Sequence, residues 1–255
     1  MSDLYPVTAA VTGVVGLVGG LLVPRLIARI PEPEPELPEG DPAAEPGASD
    51  EADLEPAEPK ELYVEVAALP GLAWKTALAA GVSAALVGLV LGWEWPLLVV
   101  LPLVPVAVAL AVVDWRTRLL PTWLIAPTYL LTVVTVVLSW LLAGDLDSPA
   151  PLVRALLGWL LAGGLYLLLW LVYPRGMGYG DVRLSGILGL ALGFVGWSEL
   201  VVGIYGGFLL GGVVGGLLAV LRRVDRTGYP FGPFMLLGAL VGIVLGNPIV
   251  SALYG

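Results

Sequence analysis

The 255-residue sequence contains no cysteine and no histidine. That excludes disulfides, Cys/His metal sites, cysteine nucleophiles and any histidine-based triad or proton relay. Charge is also scarce, at 13% Asp, Glu, Lys and Arg, whereas 58% of the residues are hydrophobic and 34 are glycine. A soluble domain is nearer half apolar and a quarter charged, so the fold class expected is an all-α polytopic membrane protein. Chemistry in such a chain rests on carboxylates, hydroxyls, backbone groups or basic side chains.

The net charge of −9 is local in origin. Residues 31–65 hold 13 of the 21 acids and one base, Lys60, and the remainder sums to +3. Residues 31–62 also hold eight prolines in a Glu/Ala background. Such a stretch buries too little apolar surface to fold, so a disordered, charge-extended linker is expected, either a solvated spacer or an acidic dock for a basic partner. The resulting division is an N-terminal span over 1–30, an acidic proline-rich cytoplasmic linker over 31–65 and a multi-span domain over 73–255.

The first apolar segment, Pro6 to Ile30, has no small-residue cleavage site before the acidic tract and reads as a retained span. Further spans are expected near 75–93, 96–113, 123–143, 152–173, 184–197, 199–221 and 233–253, about eight in all. The piece 184–197 is short, and a re-entrant or tilted segment is the alternative. With the N-terminus outside, 11 of the 12 bases fall on inner segments and only Arg154 on the outer side. The positive-inside rule thus places both termini outside, with Asp114 and Asp181 at cytoplasmic helix ends.

Asp181 follows three glycines at alternate positions in Gly176-Met-Gly-Tyr-Gly-Asp181, and Asp114 precedes Trp-Arg-Thr-Arg-Leu-Leu-Pro121. An ionisable residue beside an apolar helix is a functional hypothesis by default. Each acid alone has a structural reading: Asp181 as an N-cap of the sixth helix, Asp114 as a boundary charge paired with Arg116 or Arg118. Asp225, inside Arg222-Arg-Val-Asp-Arg226, reads as an exposed loop charge. Together, Asp114 and Asp181 form a candidate dyad. Two carboxylates in one site do not both ionise easily, so one draws a proton from water while the other, protonated, polarises a carbonyl. No metal or cofactor enters that scheme.

The run Gly176-Met-Gly-Tyr-Gly-Asp181-Val-Arg-Leu184 resembles the GxGD signature of the prepilin peptidases, and Asp114 with Leu120-Pro121 resembles that family's first catalytic aspartate and its following Leu-Pro. Pro230-Phe-Gly-Pro233 with Gly238 is similar to the late PFGP segment. The likeness runs from about Ala73 to the C-terminus; GxGD alone is shared with presenilin-like proteases. It implies a peptidase of the inner (plasma) membrane that cleaves basic leaders from prepilins or pseudopilins on the cytoplasmic side. Asp114 and Asp181 carry over as the catalytic pair, with Gly178, Gly180, Arg183 and Pro121 binding substrate or shaping the loops. The partners implied are those substrates and the lipid bilayer, with no nucleic acid. Two positions depart from the pattern: Arg183 stands where lysine is frequent, and Thr122 where aspartate is. The paired-cysteine segment of members that also N-methylate with S-adenosylmethionine is absent, so methyl transfer is not implied. Other classes open to the same acids are a proton- or cation-coupled transporter and an inactive assembly factor.

Overall fold

The computed structural model describes residues 4–32, 61–144, 146–174, 177–220 (side chains to 213) and 230–254. Ten helices form: α1 (Pro6–Leu21), α2 (Val23–Ile27), α3 (Tyr63–Ala67), α4 (Leu72–Leu91), α5 (Pro96–Thr117), α6 (Thr122–Ala143), α7 (Ala150–Val172), α8 (Tyr179–Val195), α9 (Trp197–Val220) and α10 (Gly232–Tyr254). No strand occurs among the described residues. All eight expected segments appear as helices, with the first split at Leu22, where Pro24 in the first turn of α2 has no N–H to continue the α1 ladder. By length and composition, α4, α5, α6, α7 and α10 suffice to cross a bilayer, whereas α1 and α8 are shorter, at 16 and 17 residues. Large apolar side chains on α6 and α7, among them Leu130, Leu156, Leu160 and Leu168, face outward. Such a surface belongs against lipid tails, not water.

Glycine lets three helix pairs touch backbone to backbone. A Cβ on Gly16 of α1 would lie 2.4 Å from the Ala80 carbonyl oxygen of α4. One on Gly158 of α7 would lie 2.3 Å from the Gly189 carbonyl oxygen of α8, and one on Gly238 of α10 would lie 2.3 Å from the Gly207 nitrogen of α9. Close approach of this kind drives helix association where lipid removes the hydrophobic incentive.

The acidic segment is narrower than the sequence suggests, because both of its flanks are folded. The Glu32 carboxylate accepts the Tyr63 and Val64 N–H groups at 2.9 Å each, and Glu61 pairs with Arg116. Tyr63 and Val66 of α3 are buried with Val23 and Ile27 of α2 in the core. The rest of the expected linker, 33–60, lies outside the described residues, as do Arg175, Gly176 and Asp225 with its neighbours 221–229.

Arg154, the base that the charge pattern sets apart from the other eleven, has a structural task. Its guanidinium donates to the carbonyls of Gly193 (2.6 Å), Phe194 (2.5 Å) and Val195 (3.2 Å), the otherwise unpaired acceptors ending α8. A cation there also matches the negative end of the helix dipole.

Candidate active site

The two acids arrive from different helices. Asp114 sits in the last turn of α5, which runs four residues beyond its expected end at 113. Arg118 ends it in the left-handed region (φ 56°), its N–H donating to the Asp114 carbonyl at 2.9 Å. Asp181 sits in the first turn of α8, which begins at Tyr179 and not at 184. Both are buried, at 4% and 7% exposure, on helices that pack against each other. Within their helices, both lie near an end and not at mid-length, so the pair sits towards one face of the bundle.

Neither structural reading of the single acids holds. Asp181 is not the N-cap; Gly178 is, and its N–H donates back to Asp181 Oδ2 at 3.2 Å. Glycine has no side chain to return the bond, so only half of a capping box forms. Asp114 pairs with neither Arg116 nor Arg118: Arg116 is taken by Glu61, the one ion pair among the described residues. Asp114 Oδ2 instead accepts the Gly232 N–H at 2.9 Å, where α10 begins. Each carboxylate therefore commits Oδ2 to one backbone donor. Among the described residues Oδ1 has no hydrogen-bond partner on either aspartate, yet neither Oδ1 is sealed from solvent.

The glycines divide the work. A Cβ on Gly180 would sit 2.7 Å from Leu120 Cβ, so this residue lets α8 press onto the turn that joins α5 to α6. Gly178, at φ −70°, has ordinary contact distance around a Cβ, 3.5 Å from Asp181 Oδ2, and the fold does not demand glycine there. Pro121 is the N-cap of α6, its carbonyl accepting the N–H groups of Leu124 and Ile125 at 3.0 Å. Arg183 Nη1 donates to Thr122 Oγ1 at 2.5 Å. The two positions that depart from the prepilin peptidase pattern thus touch each other.

Three participants were not assigned from sequence. Gly232 was recognisable only as part of Pro230-Phe-Gly-Pro233, with no hint of its acceptor. Tyr166, a single tyrosine within a leucine run of α7, is buried against Phe208 (ring centroids 4.8 Å) and Phe231 (6.2 Å). Phe231 immediately precedes Gly232, so this aromatic cluster sets the start of α10 that faces Asp114. The third is Thr122.

An apolar cavity of about 880 Å³ lies between α4, α5, α8 and α10. Trp115 and Pro233, the neighbours of Asp114 and Gly232, are in its wall, and Lys75 and Arg116 are its charged groups. No cluster of carboxylates able to hold a metal ion occurs among the described residues.

Residues 101–246, which include Asp114, Asp181 and Gly232, match the Type IV leader peptidase family. A prepilin leader peptidase/N-methyltransferase of Pseudomonas putida is 30% identical over 185 residues, 67% of this chain and 59% of that protein. Its counterpart in Dickeya chrysanthemi is 32% identical over 183 residues (66% and 58%), and that in Aeromonas salmonicida 31% over 166 residues (61% and 52%). The alignments thus span little more than half the length of these relatives. No solved structure matches. The ordered motifs and the extent of the family match converge on one assignment: this chain belongs to the type IV leader peptidase family.

Proposed function

We propose that the protein is a membrane aspartic endopeptidase that removes the basic leader from type IV prepilins or pseudopilins, with Asp114 and Asp181 as its catalytic pair. The observation that carries this reading is the burial of two carboxylates, from positions 67 residues apart, on helices that pack together, each with one oxygen held by a backbone N–H and the other without a partner among the described residues. The ionised member takes a proton from a water between them as that water attacks the scissile carbonyl. The protonated member donates to the carbonyl oxygen, whose growing charge is stabilised, and collapse of the tetrahedral species passes a proton to the leaving amine. Burial favours the chemistry, since like charges in a poorly solvated site share one proton.

The apolar cavity walled by Trp115 and Pro233 is suited to a hydrophobic segment following the cut. The bases Arg116, Arg118 and Arg183 follow the two aspartates closely in the chain, which supports a cytoplasmic active site in the inner membrane with both termini outside. Methyl transfer is outside the proposal: the relatives' names join both activities, but this chain has no cysteine to form the paired-cysteine segment.

Co-expression with a prepilin tests the reading. D114N and D181N should each abolish leader removal while the protein still inserts in the membrane, scored by the mass of the pilin's mature N-terminus. Cleavage at the unaltered rate by either variant would refute the dyad, and the same mass reports whether the new terminus is methylated.

A further inference from the structure

We propose that Arg183 is a positioning residue that sets the separation of the two aspartates, with Thr122 as its partner; this rests on the peptidase reading of the same site. Arg183 lies two residues after Asp181, in the opening turns of α8. Its Nη1 donates to Thr122 Oγ1 at 2.5 Å, and its Nη2 approaches the Leu120 carbonyl at 3.4 Å. The guanidinium lies 5.5 Å over the Tyr179 ring, which packs against Trp170 at 5.3 Å. Leu120 and Thr122 flank Pro121 in the turn by which α5, having delivered Asp114, passes into α6. Gly180 packs closely against the same Leu120. One side chain therefore joins the segment after the first aspartate to the segment after the second.

The rest of α8 is secured without Arg183. Gly189 and Gly193 pack onto the α7 backbone, Arg154 holds the far end, and Leu184, Ser185 and Ile187 are buried. Loss of the Arg183 clamp would free the first turn, where Asp181 is, and leave the helix in place. Both hydrogen-bond acceptors of Arg183 are neutral, and its Nε is buried with no partner. The side chain is thus held by the fork of its terminal nitrogens. A rigid guanidinium spans two acceptors at fixed geometry, which a flexible ammonium does not.

The test is kinetic, using the full chain in detergent with a purified prepilin as substrate. R183A and R183K should lower kcat about 100-fold, the usual consequence of an ångström-scale misplacement of a catalytic group, with KM and the thermal midpoint held. In R183K/T122D the new carboxylate offers the ammonium a charge-assisted partner, stronger than a neutral one, and kcat should recover most of that loss. An unaltered kcat in R183A would overturn the proposal. So would a loss that follows the thermal midpoint, or an R183K/T122D variant no faster than R183K. Failure of the unaltered chain to cleave prepilin would overturn the peptidase reading, and the clamp with it.

Discussion

Replacing Gly232 with alanine would perturb one aspartate and little else. A Cβ at this position would lie 2.7 Å from Asp114 Oδ2, 3.3 Å from Cγ and 3.6 Å from Cβ, so its three nearest heavy atoms all belong to Asp114. Ordinary contact starts near 3.4 Å, and the carboxylate must retreat by about 0.7 Å. That movement stretches the 2.9 Å bond from the Gly232 N–H, and a hydrogen bond to a charged group contributes about 1.5–3 kcal/mol. At about 1.4 kcal/mol per decade of rate, kcat should fall roughly 10- to 100-fold. Gly232 is the first residue of α10, where alanine is the better helix former, so the fold should survive. Prepilin cleavage in detergent, with kcat and KM resolved and a thermal melt alongside, makes the measurement. A G232A protein with unaltered kcat would refute the role assigned to this N–H. A collapse of the melt would instead show the glycine to be needed for packing.

Two further substitutions probe the frame around the dyad. R154M removes the donor to three terminal carbonyls of α8 and should lower stability by about 1.5–3 kcal/mol, read as a lower thermal midpoint, with kcat per folded molecule unchanged. G189A drives a methyl to 2.3 Å from the Gly158 carbonyl oxygen and should cost about 1–3 kcal/mol by forcing α7 and α8 apart. An unaltered melt in either variant would contradict the packing described for α8.

The helical class, the helical segments and the costly burial of two aspartates were legible in the sequence because each is written locally. Long apolar runs demand helices in lipid, where every backbone group needs an internal partner. Acids are rare enough outside residues 31–65 that Asp114 and Asp181 stand out, and the absence of cysteine and histidine narrows the chemistry further. Helix ends were less legible: α5 reaches Thr117 and α8 starts at Tyr179, because a helix can continue through polar residues once its neighbours give them partners.

What only the tertiary structure decided is where the hydrogen bonds of those acids go. Asp114 finds its donor 118 residues away at Gly232, Arg183 finds Thr122 61 residues back, and Arg154 caps a helix 39 residues on. A carboxylate's sequence neighbours suggested Arg116 and Arg118 for Asp114, yet Arg116 is turned to Glu61. Local pattern fixes which residues are costly to bury. Which backbone or side chain offsets that cost depends on helix packing, and packing brings together atoms that no spacing in the chain connects.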